Sequence, residues 1–468
     1  MAANLISIDL GTTRLKVSSF STTGRLLAQV VKRHAAGEQR ADDWWRDTAD
    51  ALRRLDAANV LGISLSGRAG AGVFVDRVGN VLADAWPGDP HAEQLARLRA
   101  WRTETGRPLS NYGAALVAKY VWLREHASDR ARRCRLALYG KDFLLFRLTG
   151  AHYTDWSSGP DAPAWDVALV RDWDLPVELL PRPALPWQVG GHLTHAAARE
   201  TGLAAGTPVA VGAHDGVCAN VGAGAIEPGD FAITLGTHAV TRTISTNAPA
   251  GANRFYAMPP DRHVIGGNAV LGGRALDWLV DITAGATDRE QAYREAGSIA
   301  AAVPPGADGV SFLPFLGGQM APERRADARA AFAGLRLDHG RGAMFRALFE
   351  GVGFAVADIV DQVATWCGVP NRIRLTGGGA ASPVWRQILA DILDHAVEAS
   401  DEAVEGRGAA IFLAVALGLQ ADYATAAAAM VPRGKRVEPG PAAAASYRDL
   451  HARWHVVRDT MRALDGLR

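Results

Sequence analysis

Asp9-Leu10-Gly11-Thr12-Thr13 and Leu235-Gly236-Thr237 each end an apolar run on a Gly-Thr pair, about half a chain apart. Glycine lets a backbone come close to an anion, and the N–H groups and threonine hydroxyl that follow can donate hydrogen bonds to phosphate. Two such turns directed at one cleft suit a nucleotide polyphosphate. At the mouth of the first turn, Asp9 could hold hydrated Mg2+ and Lys16 could meet phosphate charge. An ordinary hairpin with a turn-favouring Asp and a solvated Lys accounts for the first copy taken alone. Its recurrence at Gly236 and Thr237 favours the phosphate reading.

Gly212-Ala213-His214-Asp215-Gly216 follows an apolar strand-like run, Pro208 to Val211. A carboxylate at a strand end, flanked by glycines, is placed to accept a proton from a substrate. The competing reading is an Asx-turn or a helix N-cap, with His214 a satisfied turn residue. A third group, Gly377-Gly378-Gly379, follows Ile373 to Thr376. Ser382-Pro383 then reads as an N-cap with Pro at the first helical position. Backbone N–H groups at such a strand-to-helix turn suit a nucleotide, although a plain left-handed loop explains the glycines too. The chain has no G-x-x-x-x-G-K-[ST], which removes a P-loop. The glycine cluster from Gly67 to Gly72 lacks G-x-G-x-x-G spacing, which argues against a dehydrogenase.

The elements that would position these residues follow from hydrophobic patterning. Leu5 to Leu10, Leu15 to Ser21 and Leu26 to Val31 read as an antiparallel meander joined by short turns. A helix around Asp42 to Leu55 and a buried strand, Val60 to Ser66, come next. Phe231 to Leu235, Val240 to Ile244 and His263 to Ile265 repeat the meander. The order βββαβ departs from the regular alternation of a dinucleotide-binding domain. It predicts an α/β protein of two ribonuclease-H-like, actin-like ATPase domains, with a cleft between them, over 1–224 and 225–468. A segment from about Trp86 to Trp187 reads as an insertion in the first.

The 468-residue length exceeds what one core ordinarily supports, in agreement with two domains. Lys plus Arg number 50 and Asp plus Glu 49, interspersed, so no basic tract points to nucleic acid or an anionic membrane. Three widely separated cysteines fit neither a disulfide framework nor a structural zinc site. The N-terminus reaches Asp9 before a signal-like apolar region forms, and the run near Ala409 to Leu419 is too short to span a bilayer. A cytoplasmic protein without membrane or nucleic-acid partners is expected, with a homodimer left open.

Together these residues resemble the FGGY carbohydrate kinases over essentially the whole chain. Ile8 to Lys16 resembles the family's first phosphate motif and Leu235-Gly236-Thr237 its second. Lys141-Asp142-Phe143, Arg147 to Gly150, Thr154 to Ser157, Phe312 to Gly318, Glu350-Gly351 and Thr376 to Ser382 follow in family order. The resemblance implies ATP-dependent phosphorylation of a sugar or polyol hydroxyl with Asp215 as catalytic base. It implies Mg2+ organised by Asp9, phosphates lined by Gly11, Thr12, Thr13, Lys16, Gly236 and Thr237, and the adenosine side held by Gly377, Gly378, Gly379 and Ser382. Arg68, Asp89, His214 and Asp215 are the expected substrate contacts.

The departures cluster at those contacts. A common Gly-Gln-Met-His-Gly reads Gly67-Arg68-Ala69-Gly70-Ala71, Trp-x-Asp-x-Arg is stretched across Trp86 to His91, and Gly-Glu-Arg-x-Pro reads Gly318 to Pro322. A ketopentose such as xylulose is favoured, with gluconate, glycerol or another polyol as alternatives. An actin-like ATPase without a sugar substrate and a non-catalytic sugar-binding relative are the competing classes.

Overall fold

A computed structural model of the chain describes residues 3–34, 40–55, 59–70, 72–84, 91–107, 109–176, 178–247, 254–284, 288–400 and 403–465. The chain divides into two compact units. The first comprises Met1–Gly224, Tyr256–Arg262 and Ala403–Pro432, and the second Ala225–Phe255, His263–Glu402 and Arg433–Arg468. Two stretches that sequence order places in the second half therefore pack with the first unit.

In the first unit the expected meander is present as Asn4–Leu10, Arg14–Ser21 and Leu26–Arg33, each antiparallel to the next. The Val60–Gly67 strand lies parallel to Asn4–Leu10 on its other side, and Pro208–Ala210 and Val189–His192 extend the sheet beyond it. Leu5 to Leu10 are all buried, whereas the Leu26–Arg33 edge strand is largely exposed. Central strands covered on both faces lose the polar alternation that edge strands keep. Ile6, Ile8 and Leu10 share a core with Trp44, Trp45 and Leu52 of the Ala41–Arg54 helix. Alternation puts Leu5, Ser7 and Asp9 on the opposite face. The Val404–Ala416 helix covers that face, with Gly406 so near that a Cβ there would lie 2.8 Å from Ser7 Oγ.

Val404–Ala416 also packs against the Asp215–Ala223 helix through glycines on both sides. A Cβ on Gly408 would fall 2.0 Å from the Cys218 carbonyl oxygen, and one on Gly222 would fall 1.8 Å from that of Val404. This close approach is what draws a segment from the end of the chain into the first unit. The insertion expected from Trp86 to Trp187 supplies part of a separate core, which also takes in the earlier strands Gly72–Val75 and Val81–Ala83, while the Gly140–Thr149 helix within those bounds packs in the main core of the unit. A three-stranded sheet (Val81–Ala83, Gly72–Val75, Leu136–Tyr139) and the Ala92–Thr105 and Asn111–His126 helices contribute to the separate core.

The second unit repeats the arrangement with Asp230–Leu235, His238–Ser245 and Arg262–Leu271 as its meander and Arg372–Thr376 parallel to the first of these. Val397–Ala399 and Lys435–Val437 complete that side. The 27-residue Arg341–Cys367 helix, buried along most of its length, runs through the core. Among the described residues no helix is long and apolar enough to cross a membrane.

Because the atoms met by a Gly408 side chain are backbone, relief requires the helices to separate. Gly408→Ala is expected to cost about 1–3 kcal/mol, the usual range for overpacking, and to lower the melting temperature by several degrees. Calorimetry showing an unchanged transition would contradict the helix contact.

Candidate active site

Sheet register assembles the first group of polar residues. Asp9 pairs with Lys16 across the hairpin and with Ser66 on the parallel strand, and Ser66 pairs in turn with Ala213. Residues on one rung share a face, so Lys16, Asp9 and Ser66 point the same way. Ser66 Oγ donates to Asp9 Oδ1 at 2.7 Å, and Lys16 Nζ lies 3.8 Å from Asp9 Oδ2. The first turn of the covering helix adds Glu405, whose Oε2 accepts from Lys16 Nζ at 3.4 Å.

Burial pushes the Asp9 carboxyl up to about 7, with the negative charges of Glu405 and Asp215 acting in the same direction against Lys16 and Ser66. Burial disfavours the Lys16 ammonium, yet Glu405 and Asp9 hold its pKa above the ordinary lysine value. Lys16 is thus engaged by two carboxylates of its own chain. Arg68, just past the Val60–Gly67 strand, has its pKa lowered by burial and raised in part by the charge of Asp215. The structure accordingly brings Asp9, Lys16, Arg68, His214 and Asp215 into one electrostatic neighbourhood.

Asp215 begins the Asp215–Ala223 helix, and its side chain is about one-third exposed, at 34%. His214 is the N-cap, its Nδ1 accepting from the Gly216 N–H at 3.0 Å, which requires the hydrogen of the neutral ring to sit on Nε2. Asp215 Oδ1 is 2.9 Å from the same Nδ1, so a proton on that nitrogen would exchange the cap for a bond to Asp215. Tyr256, on the Arg254–Met258 strand, and Tyr112 both lie against the His214 ring, with centroids 4.1 and 5.1 Å away, and stack on each other at 6.1 Å.

A buried ionic network braces the backbone at this point. Lys141 Nζ lies 2.6 Å from Asp142 Oδ1 and 2.8 Å from Asp155 Oδ1, all three side chains being fully buried. Burial opposes the Lys141 charge, but the two aspartates raise its pKa above the ordinary value. Burial likewise raises Asp142, to about 6, against the pull of Lys141. Asp155 is driven up by burial but held below the usual carboxylate range by Lys141 and the Ser157 and Ser158 hydroxyls. Ser157 Oγ donates to Asp155 and accepts from the His214 N–H at 3.1 Å. The chain of partners thus runs from a buried lysine to the residue preceding Asp215.

In both Gly-Thr turns the glycine N–H closes the hairpin, Gly11 to the Arg14 carbonyl at 3.0 Å and Gly236 to that of His238 at 3.1 Å. Thr12, Thr13 and Thr237 are exposed at the turn tips. In the second unit Gly377 and Gly379 sit against the second turn, where Cβ atoms would come within 2.8 Å of Leu235. Gly377 has φ +83°, a backbone region that favours glycine. Gly378 begins a short 3-10 turn, and Ser382 Oγ caps the Pro383–Leu393 helix by accepting from the Trp385 N–H at 3.3 Å. The structure therefore groups Gly236, Gly377, Gly378 and Gly379, with Thr237 next to Gly236 in sequence and the Ser382 N–H bonded to the Gly379 carbonyl at 3.2 Å. Asp89 lies outside the described residues.

Sequence reasoning missed Ser66, Glu405 and the bracing role of Ser157. Parallel register could have exposed Ser66, once Val60 to Ser66 was read as a neighbour of Leu5 to Leu10. Glu405 is 389 residues from Lys16, and no local pattern links the two.

The sequence matches the model of the FGGY family of carbohydrate kinases, N-terminal domain, over residues 4–222, and that of its C-terminal domain over residues 229–417. Xylulose kinase of Escherichia coli (strain K12) is 29% identical over 418 residues, covering 83% of this chain and 84% of that protein. Gluconokinase of Bacillus subtilis (strain 168) is 28% identical over 443 residues, covering 85% and 84%. Gluconate kinase from Lactobacillus acidophilus superposes with a TM-score of 0.86 at 24% identity, over 100% of this chain and 99% of that one. Xylulose kinase from Rhodospirillum rubrum gives 0.83 at 25%, over 99% and 100%. These likenesses show the two-domain actin-like ATPase fold. With both family domains matched in order along a chain that has this fold, the protein belongs to the FGGY family of carbohydrate kinases and is a sugar kinase that uses ATP as its phosphoryl donor.

Proposed function

We propose that this kinase transfers the γ-phosphoryl group of ATP to a hydroxyl of a ketopentose such as xylulose, with Asp215 as general base. The observation that carries the reading is the placement of Asp215, a partly exposed carboxylate at a helix N-terminus held by a buried network through Ser157 and His214. The helix dipole favours the ionised carboxylate. Ionised Asp215 accepts the hydroxyl proton as the sugar oxygen bonds to phosphorus and the bond to ADP breaks. Phosphoryl transfer has a loose transition state, so alignment counts for more than base strength.

The oxygen donors around Asp9 fit a hard divalent cation. Asp9, Glu405 and Asp215 bring carboxylates near Lys16 and Arg68, and the raised Asp9 pKa reflects burial first, with the charges of Glu405 and Asp215 adding to it. We assign Mg2+ to Asp9, where it would neutralise charge on the transferring phosphates. Gly11, Thr12, Thr13, Gly236 and Thr237 are assigned to the phosphates, and Gly377, Gly378, Gly379 and Ser382 to the adenosine side. Lys16 contributes by setting the charge on Asp9. Of the four relatives cited two are xylulose kinases and two gluconate kinases, and the ketopentose reading follows the Escherichia coli xylulose kinase, at 29% identity against 28% for the Bacillus subtilis gluconokinase.

A second reading, a sugar acid such as gluconate, is favoured by Arg68. Its guanidinium lies in the field of Asp215, and guanidinium is suited to pairing with a substrate carboxylate. ADP release with ATP and Mg2+ against xylulose, ribulose, gluconate and glycerol decides between them. The highest kcat/KM is expected with a ketopentose, while preference for gluconate would transfer the assignment to the sugar acid. Asp215→Asn is expected to lower kcat at least ~10²-fold with ATP affinity little changed; unaltered turnover would reject the base assignment.

Asp9 yields a stability prediction with a definite sign. Its carboxyl titrates near 7 when folded, against an ordinary value of 3.8, so the wild type takes up a proton on folding between those limits. That contribution is lost as pH rises past 7. Without nucleotide or metal, Asp9→Asn should melt at or above wild type at pH 8, lose this advantage at pH 5, and have little kinase activity. Melting below wild type by the same margin at both pH values would contradict the buried-charge account.

A further inference from the structure

Away from these groups, the C-terminal Pro441–Asp465 helix of the second unit carries His451 and His455 four residues apart, hence on one face. Both Nε2 atoms converge on Oδ1 of Asp358, on the Arg341–Cys367 helix, at 2.9 and 2.7 Å. The Asp358 side chain is 9% exposed, that of His451 16% and that of His455 37%, so the cluster is sheltered at one end and open at the other. Phe354, one turn before Asp358, stacks on the His451 ring at 5.1 Å and 8°, which sets the plane of that ligand.

We propose that Asp358, His451 and His455 bind a divalent transition-metal ion of the zinc class, with water completing the coordination. Two imidazole nitrogens and one carboxylate oxygen form a donor set that suits zinc. Mg2+, which prefers an all-oxygen shell, is excluded as the occupant. Bonds of about 2.0 Å in tetrahedral geometry place ligand atoms roughly 3.3 Å apart. The three ligand atoms here lie within 4.8 Å of one another, and the partly open His455 ring can move to let an ion between them.

The charges facing the site balance in favour of a cation. Arg458 Nη1 holds Asp358 Oδ2 at 2.9 Å, which opposes a cation but leaves Oδ1 turned toward both imidazoles. Asp361, one turn beyond Asp358, shares the electrostatic field of Asp358, His451 and His455 and adds a second negative charge. With neutral imidazoles the group carries a net negative charge. Because both Nε2 atoms face an accepting carboxylate oxygen, they carry hydrogen in this arrangement; on binding, a neutral ring moves that hydrogen to Nδ1 so that a bare Nε2 meets the metal, and any doubly protonated ring releases a proton. The ion would tie the last helix of the chain to the long central helix of its unit.

The test is metal titration of the full-length protein after EDTA treatment and removal of the chelator. At pH 7.5, one equivalent of Co2+ should give the visible absorption of a tetrahedral site. Zn2+ should bind stoichiometrically, displace the Co2+ and raise the melting temperature. His451→Ala and His455→Ala should each weaken Zn2+ binding by more than the ~10–100-fold that second-shell changes cost, while turnover with ATP and Mg2+ stays at the wild-type level. The proposal is overturned if micromolar Zn2+ does not bind stoichiometrically, or if the double His451→Ala/His455→Ala variant binds it as tightly as wild type.

Discussion

One lysine buried between two aspartates governs the first unit. Lys141, Asp142 and Asp155 are all removed from water, and taking away one member of such a group leaves an uncompensated charge costing about 3–5 kcal/mol. Their geometry is consequently tightly constrained. The Gly140–Thr149 helix must start where Lys141 reaches Asp155, and the Tyr153–Asp155 strand must end where Ser157 can turn back. Ser157 passes the constraint to the His214 backbone. An otherwise local turn is thereby held to the precision that the role proposed for Asp215 requires.

The two sheets use one device with different charge. In the first, Asp9 accepts from Ser66 on the adjacent parallel strand, while in the second Thr234 bonds Thr376 at the matching position, Oγ1 to Oγ1 at 2.9 Å. Each pair precedes a Gly-Thr turn on one strand and a glycine on the other. The carboxylate version is costly, since burial alone drives Asp9 toward the neutral form. Thr234 avoids that cost. A buried carboxylate in one copy and a neutral hydroxyl in the other set the two copies apart in charge, and the proposed assignment of Mg2+ to Asp9 would make the costly copy the functional one, in keeping with the general observation that functional sites sacrifice stability.

Local patterning made much of this legible. The meanders, the Ser382-Pro383 helix start and the placement of Asp215 just past a strand were readable from runs of a few residues, whereas the helix that Asp215 opens entered only through the competing N-cap reading, and the cap is His214. Contacts between distant parts of the chain were not. Nothing near Glu405 indicates that its helix covers the first sheet, because the determinants are glycines 222 and 408, whose meaning depends on what approaches them. Lys16 was readable as a cation beside a phosphate turn, but its carboxylate partners emerge only from register and tertiary packing. The buried network illustrates the same limit. Lys141-Asp142 was visible as a motif, whereas the path through Ser157 to His214 is a fact of three dimensions.

The kcat of Ser157→Ala tests most directly whether the buried network positions Asp215 for its proposed role as general base. Alanine removes the hydroxyl that joins Asp155 to the His214 N–H but leaves Lys141, Asp142 and Asp155 in place. The account predicts that kcat falls by about tenfold or more, as slight misplacement of a reacting group does, with the KM for ATP within about twofold of wild type and Ser157→Thr retaining most activity. A Ser157→Ala enzyme with wild-type kcat would contradict it.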